Sequence, residues 1–350
     1  MSLFRVAFQH RRLLPVRIWT TCPSVDSRCV CYHDDTMATN RSASLRAKGH
    51  YGGQQRKHKL SSELHKLSLE DSSPERARRP KSRADSEDDA EDDAEVVFGV
   101  APCLLALTQG RRKALGLFVK DGVGPQRASL LKVCEEARRR GVPVQRVGKT
   151  ALNKMSSGGV HQGVCLQASP LSYLTEDRAP GVKSKPLWLV LDRIQDPMNL
   201  GAILRSAYFL GVDRVASGLR HSCPLTPVVS KASSGVMEVM GVHGYEDLED
   251  MVRGKAAQGW RVVGTVAADA AEAHVPITPC SRLLMNEPTL LLIGGEGEGL
   301  SHQMIALCQT LVTIPAGREL APGVESLNVS VATAILLHSL LTRTQERSTC

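Results

Sequence analysis

Aromatic residues make up only 4% of this 350-residue chain. Stacking of extended single strands on aromatic platforms is therefore not its organising theme. No apolar run approaches the roughly 18 residues that a transmembrane helix needs. The ten cysteines include no C-x-x-C pair and no regular spacing, so they predict neither a zinc site nor a disulfide framework. Cys134, Cys165 and Cys308 sit in apolar patterns and read as reduced, buried thiols. No metal site is expected. A nicotinamide-dependent oxidoreductase would need G-x-G-x-x-G after its first strand and an acid about 20 residues on. Residues 192–205 do not provide that pattern. Gly148-Lys149-Thr150 looks like the end of a phosphate-binding loop, but Pro143 stands where that motif requires glycine, and no helix signal follows. A basic loop is expected there.

Charge is present in abundance and is unevenly placed. Residues 1–83 carry 17 bases and 7 acids, residues 84–95 carry 8 acids and no base, residues 96–178 carry 13 bases and 5 acids, and residues 179–350 carry 14 bases and 16 acids. A strongly basic segment therefore precedes a long, nearly neutral one, which implies a polyanion-binding module joined to something else. Its candidate RNA contacts are Arg111, Arg112, Lys113, Arg138, Arg139, Arg140 and Lys149. The first 25 residues hold Arg5, Arg11, Arg12 and Arg17 among apolar residues, with no acid before Asp26. That pattern reads as a mitochondrial transit peptide, assigned to 1–37. Residues 38–95 are too polar to offset chain entropy by burial and read as a charged linker.

Two folded parts are expected after the linker. The first, 96–173, is a small α/β unit with strands near 97–99, 117–119, 142–147 and 161–168. Its helices are expected near 101–107 and 130–140, the latter capped by Gly141. A linker is expected over 174–186. From 187 to 342, strands near 187–191, 214–216, 261–266, 289–293 and 311–314 alternate with helices near 199–210, 247–258, 301–308 and 327–341. Such alternation predicts a mainly parallel sheet, with ligands beyond the carboxyl ends of its strands.

Three motifs lie beyond those strand ends. In the first, 191–205, an Asp196-Pro197 turn opens a helix. Asn199 is positioned to cap it, Gly201 allows a close backbone approach, and Arg205 shares the helical face of Gly201. The second, 292–301, places four glycines and the acids Glu296 and Glu298 after a buried strand. Carboxylates repel a pyrophosphate and suit a cofactor with hydroxyls and positive charge. The third, Ile314-Pro315-Ala316-Gly317 and then 325–332, opens a helix with Ser326 as expected cap and Asn328 in its first turn.

In order and content this combination resembles the SpoU (TrmH-like) family of knotted SPOUT methyltransferases, which methylate RNA ribose 2′-hydroxyls with S-adenosylmethionine. The resemblance covers about 96–342, including His161-Gln162-Gly163-Val164 at the end of a ribosomal-protein-like substrate-binding domain. It implies a trefoil knot in the carboxyl-terminal domain, S-adenosylmethionine as cofactor, and a homodimer. Gly294, Ile314 and Leu327 match cofactor-contacting positions. Asn199, Arg205, Glu296 and Asn328 match catalytic or RNA-positioning residues, and Ser326 matches a serine position. The 317–324 loop is longer than in bacterial relatives. With the transit-like amino end, the resemblance implies a guanosine of mitochondrial large-subunit ribosomal RNA, in the matrix, as the target. A mitochondrial tRNA substrate and a non-catalytic ribosome-assembly role remain the alternatives. Arginine almost never gives up its proton, so Arg205 reads first as a clamp on phosphate and hydroxyl. Asn328 orients the ribose, and Glu296 holds Asn199 or Arg205.

Overall fold

A computed structural model describes residues 94–122, 128–175, 185–267, 275–324 and 326–346. The transit segment and nearly all of the charged linker lie outside the described residues.

The amino-terminal part is an α/β unit. Strand β1 (Glu95–Phe98) leads into helix α1 (Val100–Gln109), then β2 (Ala114–Lys120), α2 (Ala128–Arg139), β3 (Val144–Val147), α3 (Lys149–Met155) and β4 (Val164–Ala168). The sheet order is β1-β4-β2-β3. β4 runs antiparallel to both neighbours, and β2 pairs with β3 in parallel. α2 shows why the pattern reads as helix. Leu130, Val133, Cys134 and Ala137 recur at helical spacing and are buried, packing with Val97, Leu117, Leu166 and Leu107. Arg138 and Arg139 occupy its last turn, where the helix dipole favours cations. Gly141 ends it at φ 70°, as expected of a C-cap glycine. One expectation fails here: Lys149 opens α3, a helix of 7 residues, where a loop was expected. Two turns hold too few positions to show a period.

The carboxyl-terminal part contains β5 (Leu187–Leu191), α4 (Pro197–Leu210), β6 (Arg214–Gly218), α5 (Pro227–Ala232), α6 (Val236–Val239), β7 (Val242–Tyr245), α7 (Leu248–Ala257), β8 (Arg261–Thr265), β9 (Ile277–Pro279), β10 (Thr289–Ile293), α8 (His302–Ala306), β11 (Thr310–Thr313) and α9 (Val329–Glu346). Its seven-stranded sheet has the order β7-β6-β5-β10-β8-β11-β9. Every pairing is parallel. β10 enters between β5 and β8, strands laid down earlier, and β11 enters between β8 and β9. The strands β5 and β10 are buried throughout, as near-continuous apolar runs sandwiched by helices should be. Residues 217–246 carry no expected element, yet they form α5, α6 and β7. These pieces are too short to reveal themselves by periodicity. Leu174, expected to open a linker, instead pairs with the edge of β7 through Leu174 N–H to Val242 O at 2.8 Å.

A buried polar seam joins the two parts. Arg112, on the basic segment, is 5% exposed. Its Nε donates to Glu238 Oε2 at 2.9 Å, and its Nη1 donates to Glu95 Oε2 at 3.0 Å and Ser169 O at 2.8 Å. Arg112 is thus not an RNA contact, because its guanidinium is spent inside. Arg111, half-buried, donates to Met237 O at 2.8 Å across the same seam, and burial pushes its pKa down. No helix among the described residues is long and apolar enough to cross a membrane.

Candidate active site

The segments that follow β5, β10 and β11 bring the expected polar residues together, beyond the carboxyl ends of the strands. The first segment turns into α4. Asp196, not Asn199, caps this helix: its carboxylate accepts from Met198 N at 3.2 Å and Asn199 N at 3.0 Å. Such a cap contributes about 1 kcal/mol, and Pro197 at the first helical position already has the required φ. Asn199 is thereby released for another task. Its amide Nδ2 donates to Glu296 Oε1, and its Oδ1 accepts from Asn328 Nδ2 at 3.1 Å. One residue from each motif therefore joins a single hydrogen-bonded chain.

Asn328 also replaces the expected cap of α9. Its Oδ1 accepts from Ser330 N at 3.0 Å and Val331 N at 3.3 Å, so this asparagine holds both the helix start and Asn199. Ser326 stands two residues before it, exposed, in a bend. Glu325 lies outside the described residues.

The 294–300 loop folds tightly onto itself. A Cβ on Gly294 would lie 2.2 Å from Gly299 C and 2.3 Å from Leu300 N, and one on Gly295 would lie 2.6 Å from Arg193 O. Only glycine fits there. Arg193 clasps the loop, donating to Glu298 Oε2 at 2.6 Å and Gly299 O at 3.1 Å. Both carboxylates of the motif thus have partners within the protein: Glu296 takes Asn199 and Glu298 takes Arg193. Asp192, beside Arg193, is half-buried, and burial pushes its carboxyl pKa up against the pull of that guanidinium. Residues 296–299 are exposed. Leu327 is an exposed apolar side chain and Ile314 is half-buried. Main-chain polar groups beside apolar edges can take an adenosine-like cofactor.

Arg205 stands apart from the hydrogen-bonded chain. It lies about 9 Å further along α4 than Asn199, exposed, and its Nη1 donates to Ser234 Oγ at 3.0 Å. Gly201 shows the close approach expected of it: a Cβ there would sit 2.4 Å from Ala232 Cβ and 2.9 Å from Ser233 N of the next helix and turn.

Among the remaining basic candidates, Lys113, Arg138, Arg139, Arg140 and Lys149 are exposed. Glu136 gathers Arg139 and Arg140 at 2.6 and 2.9 Å, and the hydrogen bond from Arg139 pulls its carboxyl down to about 2. Those two guanidiniums are oriented but still solvent-facing. Arg193, Ser234 and Glu238 take part in this architecture although the sequence reading does not single them out. Arg193 stands two residues after the first strand of its domain, a local signal that was available. Ser234 and Glu238 carry no such signal. Among the described residues no cluster of three His, Cys, Asp or Glu is placed to hold a metal. Cys134, Cys165 and Cys308 are buried free thiols, as expected.

Family models match both parts. Residues 186–338 match the SpoU rRNA Methylase family. Residues 96–174 match the RNA 2′-O ribose methyltransferase substrate binding family. The chain is 49% identical over 257 residues to rRNA methyltransferase 1, mitochondrial, of Homo sapiens, covering 70% of this chain and 72% of that protein. It is 31% identical over 255 residues to the 23S rRNA (guanosine-2′-O-)-methyltransferase RlmB of Photobacterium profundum, covering 72% of this chain and 98% of that one. Its fold is similar to the SpoU methyltransferase AviRb from Streptomyces viridochromogenes, solved with the cofactor AdoMet. That match has a TM-score of 0.57 at 22% identity and spans 75% of this chain and 95% of that chain.

Proposed function

The chain belongs to the SpoU rRNA methylase family, and from that premise we propose that it methylates the ribose 2′-hydroxyl of a guanosine in mitochondrial large-subunit ribosomal RNA. The observation that carries this reading is the hydrogen-bonded chain Glu296–Asn199–Asn328, which unites the three strand-end motifs. The guanosine target is supported by the name of the bacterial relative, and the mitochondrial setting by that of the human one. The matrix location and the cleavable leader over 1–37 rest on the basic, acid-free amino end.

The cofactor of this reading is S-adenosylmethionine, and the residues present fit it. The exposed backbone of 296–299 and the apolar edges of Ile314 and Leu327 would hold it, and Gly294 keeps the loop closed enough to form that wall. Bound there, it supplies a methyl group already activated on a sulfonium. The protein's own residues then have two tasks, alignment and polarisation of the hydroxyl. Arg205 clamps the ribose and its phosphate with a planar set of donors. Arginine keeps its proton, so the hydroxyl proton leaves to a phosphate oxygen or another acceptor. Asn328 orients the ribose, Asn199 links it to the cofactor loop, and Glu296 fixes Asn199 by a charge-assisted bond. Ser326 offers a hydroxyl at the mouth of the site.

The same reading includes a trefoil crossing in the carboxyl-terminal domain and a homodimer. Support for the dimer comes from apolar side chains left outward on α4 and α9: Met198, Tyr208, Phe209, Val331 and Ile335. RNA is held by the exposed cations of the amino-terminal part, whose 13 bases exceed its 5 acids over 96–178. Low aromatic content favours recognition of folded RNA shape. The deciding experiment maps ribose methylation of mitochondrial ribosomal RNA with and without the protein. Loss of one guanosine 2′-O-methyl mark is expected. Persistence of every mark would overturn the substrate assignment.

A further inference from the structure

The turn between α5 and α6 connects the Arg205 guanidinium to the RNA-binding part of the molecule. Ser234, whose Oγ receives Arg205 Nη1 at 3.0 Å, has φ 55°, and the next residue, Gly235, has φ 84°. Two successive left-handed residues make a sharp, strained turn that persists only where its surroundings enforce it. Those surroundings come from both sides. A Cβ on Gly235 would lie 2.8 Å from Leu105 Cδ1 and 3.0 Å from Pro102 Cα, so α1 of the amino-terminal part presses directly on the turn.

Glu238, fully buried, ties the two feet of the turn together. Its Oε1 accepts from Ser230 Oγ on α5 at 2.7 Å and from Arg112 Nη2 at 3.2 Å, and its Oε2 accepts from Arg112 Nε at 2.9 Å. Two further bonds reach from one part to the other: Arg111 Nη1 to Met237 O at 2.8 Å, and Lys231 Nζ to Gln162 Oε1 at 2.9 Å. The turn that presents Ser234 is therefore held from outside by the module that holds RNA.

We propose that Ser234 is a positioning residue for Arg205, and that the buried Arg112–Glu238 pair makes the substrate-binding part a component of the same support. The inference rests on the reading that Arg205 meets the reacting ribose. An exposed arginine otherwise samples many rotamers, and the Ser234 hydroxyl narrows that choice before RNA arrives. The substrate-binding part then influences turnover as well as affinity.

Single-turnover methyl transfer at saturating RNA and S-adenosylmethionine tests this, alongside binding of RNA and of adenosylhomocysteine. Ser234→Ala keeps an L-residue in the turn and removes only Oγ. It should slow transfer about tenfold while both affinities stay within about twofold. The double variant Ser234→Ala with Arg205→Ala should be no slower than Arg205→Ala alone, since the serine acts through that arginine. Ser234→Asn, which tolerates the left-handed region and keeps a polar acceptor, should recover part of the rate. A wild-type rate in Ser234→Ala with Arg205→Ala slow overturns this inference and leaves the Arg205 reading intact. A wild-type rate in Arg205→Ala overturns the reading beneath it. For the domain link, Arg112→Met with Glu238→Leu replaces the buried pair by apolar groups, at the cost of one partner each for Ser230 Oγ, Ser169 O and Glu95. Slower transfer at unchanged RNA affinity is expected, and an unchanged rate in the folded variant overturns that half. Should the pair variant melt below assay temperature, Lys231→Met removes only the surface foot and is read by the same criterion.

Discussion

Gly201→Ala sets two opposed energies against each other at the heart of this arrangement. Alanine in a helix interior is favoured over glycine by about 1 kcal/mol, so propensity alone predicts a more stable protein. Yet the new Cβ would sit 2.4 Å from Ala232 Cβ, 2.9 Å from Ser233 N and 3.0 Å from Ala232 C. Carbon atoms rest at about 3.5–4.0 Å, so α4 and α5 must part by about 1 Å. Two of the three clashing atoms are backbone and cannot rotate away. Ser233 N already donates to Val229 O at 2.9 Å, which ties it to α5. Overpacking of this kind costs about 1–3 kcal/mol and occasionally more. With two of the clashing atoms in the backbone the upper part of that range applies, about 2–3 kcal/mol, which leaves a net loss of about 1–2 kcal/mol after the helix gain is subtracted. For a folded part of this size the melting temperature should fall by about 2–8 °C. The displacement also passes to Ser234 and thence to Arg205, and a shift of about 1 Å can cost as much as 100-fold in rate. Thermal melting and single-turnover transfer on the same preparation check both. A melting temperature unchanged or raised would show that the helices separate freely, refuting the packing argument. Lowered stability with normal turnover would sever the proposed link between this packing and Arg205.

Other outcomes follow from the same geometry. Gly294→Ala puts a Cβ 2.2 Å from Gly299 C, so the loop must open, and adenosylhomocysteine affinity measured by calorimetry should fall about tenfold or more. Arg205→Lys should rescue transfer poorly relative to Arg205→Ala, because lysine lacks the planar multi-donor fork; comparable single-turnover rates for lysine and wild type would contradict the clamp. Charge reversal at Arg138 and Lys149 should weaken RNA binding across sequences and reduce the salt slope by about one for each phosphate no longer neutralised. His161 is buried, and burial lowers its pKa, reinforced by Lys149, Lys120 and Lys231. Its Nδ1 accepts from Gly163 N at 3.0 Å, so Nε2 carries the proton toward Asn153 Oδ1 at 2.9 Å. A depressed folded-state pKa stabilises the protein above the unfolded value of about 6.5 and loses that contribution as pH falls below it. Melting curves over the acid side of neutrality should therefore show a loss that His161→Gln flattens.

Removing the amino-terminal part would not be a clean deletion of RNA affinity. Glu238 would lose Arg112, Met237 would lose Arg111, Lys231 would lose Gln162, and the turn that carries Ser234 would lose the helix that presses on it, so support would go together with affinity. Point substitutions at Arg138 and Lys149, which are exposed, avoid that problem and separate affinity from support.

Much of the architecture was legible in the chain itself. The apolar runs that became β5 and β10, the helical spacing of Leu130, Val133, Cys134 and Ala137, and the Asp196-Pro197 and glycine punctuation are local signals, and local periodicity suffices to read them. The three motifs were legible for the same reason, since each is a strand end followed by polar and small residues. What the chain could not reveal was partnership. Asn199 meets Glu296 97 residues away and Asn328 129 residues away, and that choice depends on which strand lies beside which. It also displaced two expected caps, passing one role from Asn199 to Asp196 and the other from Ser326 to Asn328. Arg112 reads as a surface cation by its basic neighbours, yet Glu238, 126 residues on, draws it into the interior. The short helices α5 and α6 were invisible because they complete too few turns to show a period, and they hold their shape through packing against α1 and α4. Sequence determined which segments become strands and helices and which polar residues stand at their ends. Only the tertiary structure decided which of those residues touch, because a buried charge or amide is satisfied by whatever the packing of distant segments brings within hydrogen-bond reach.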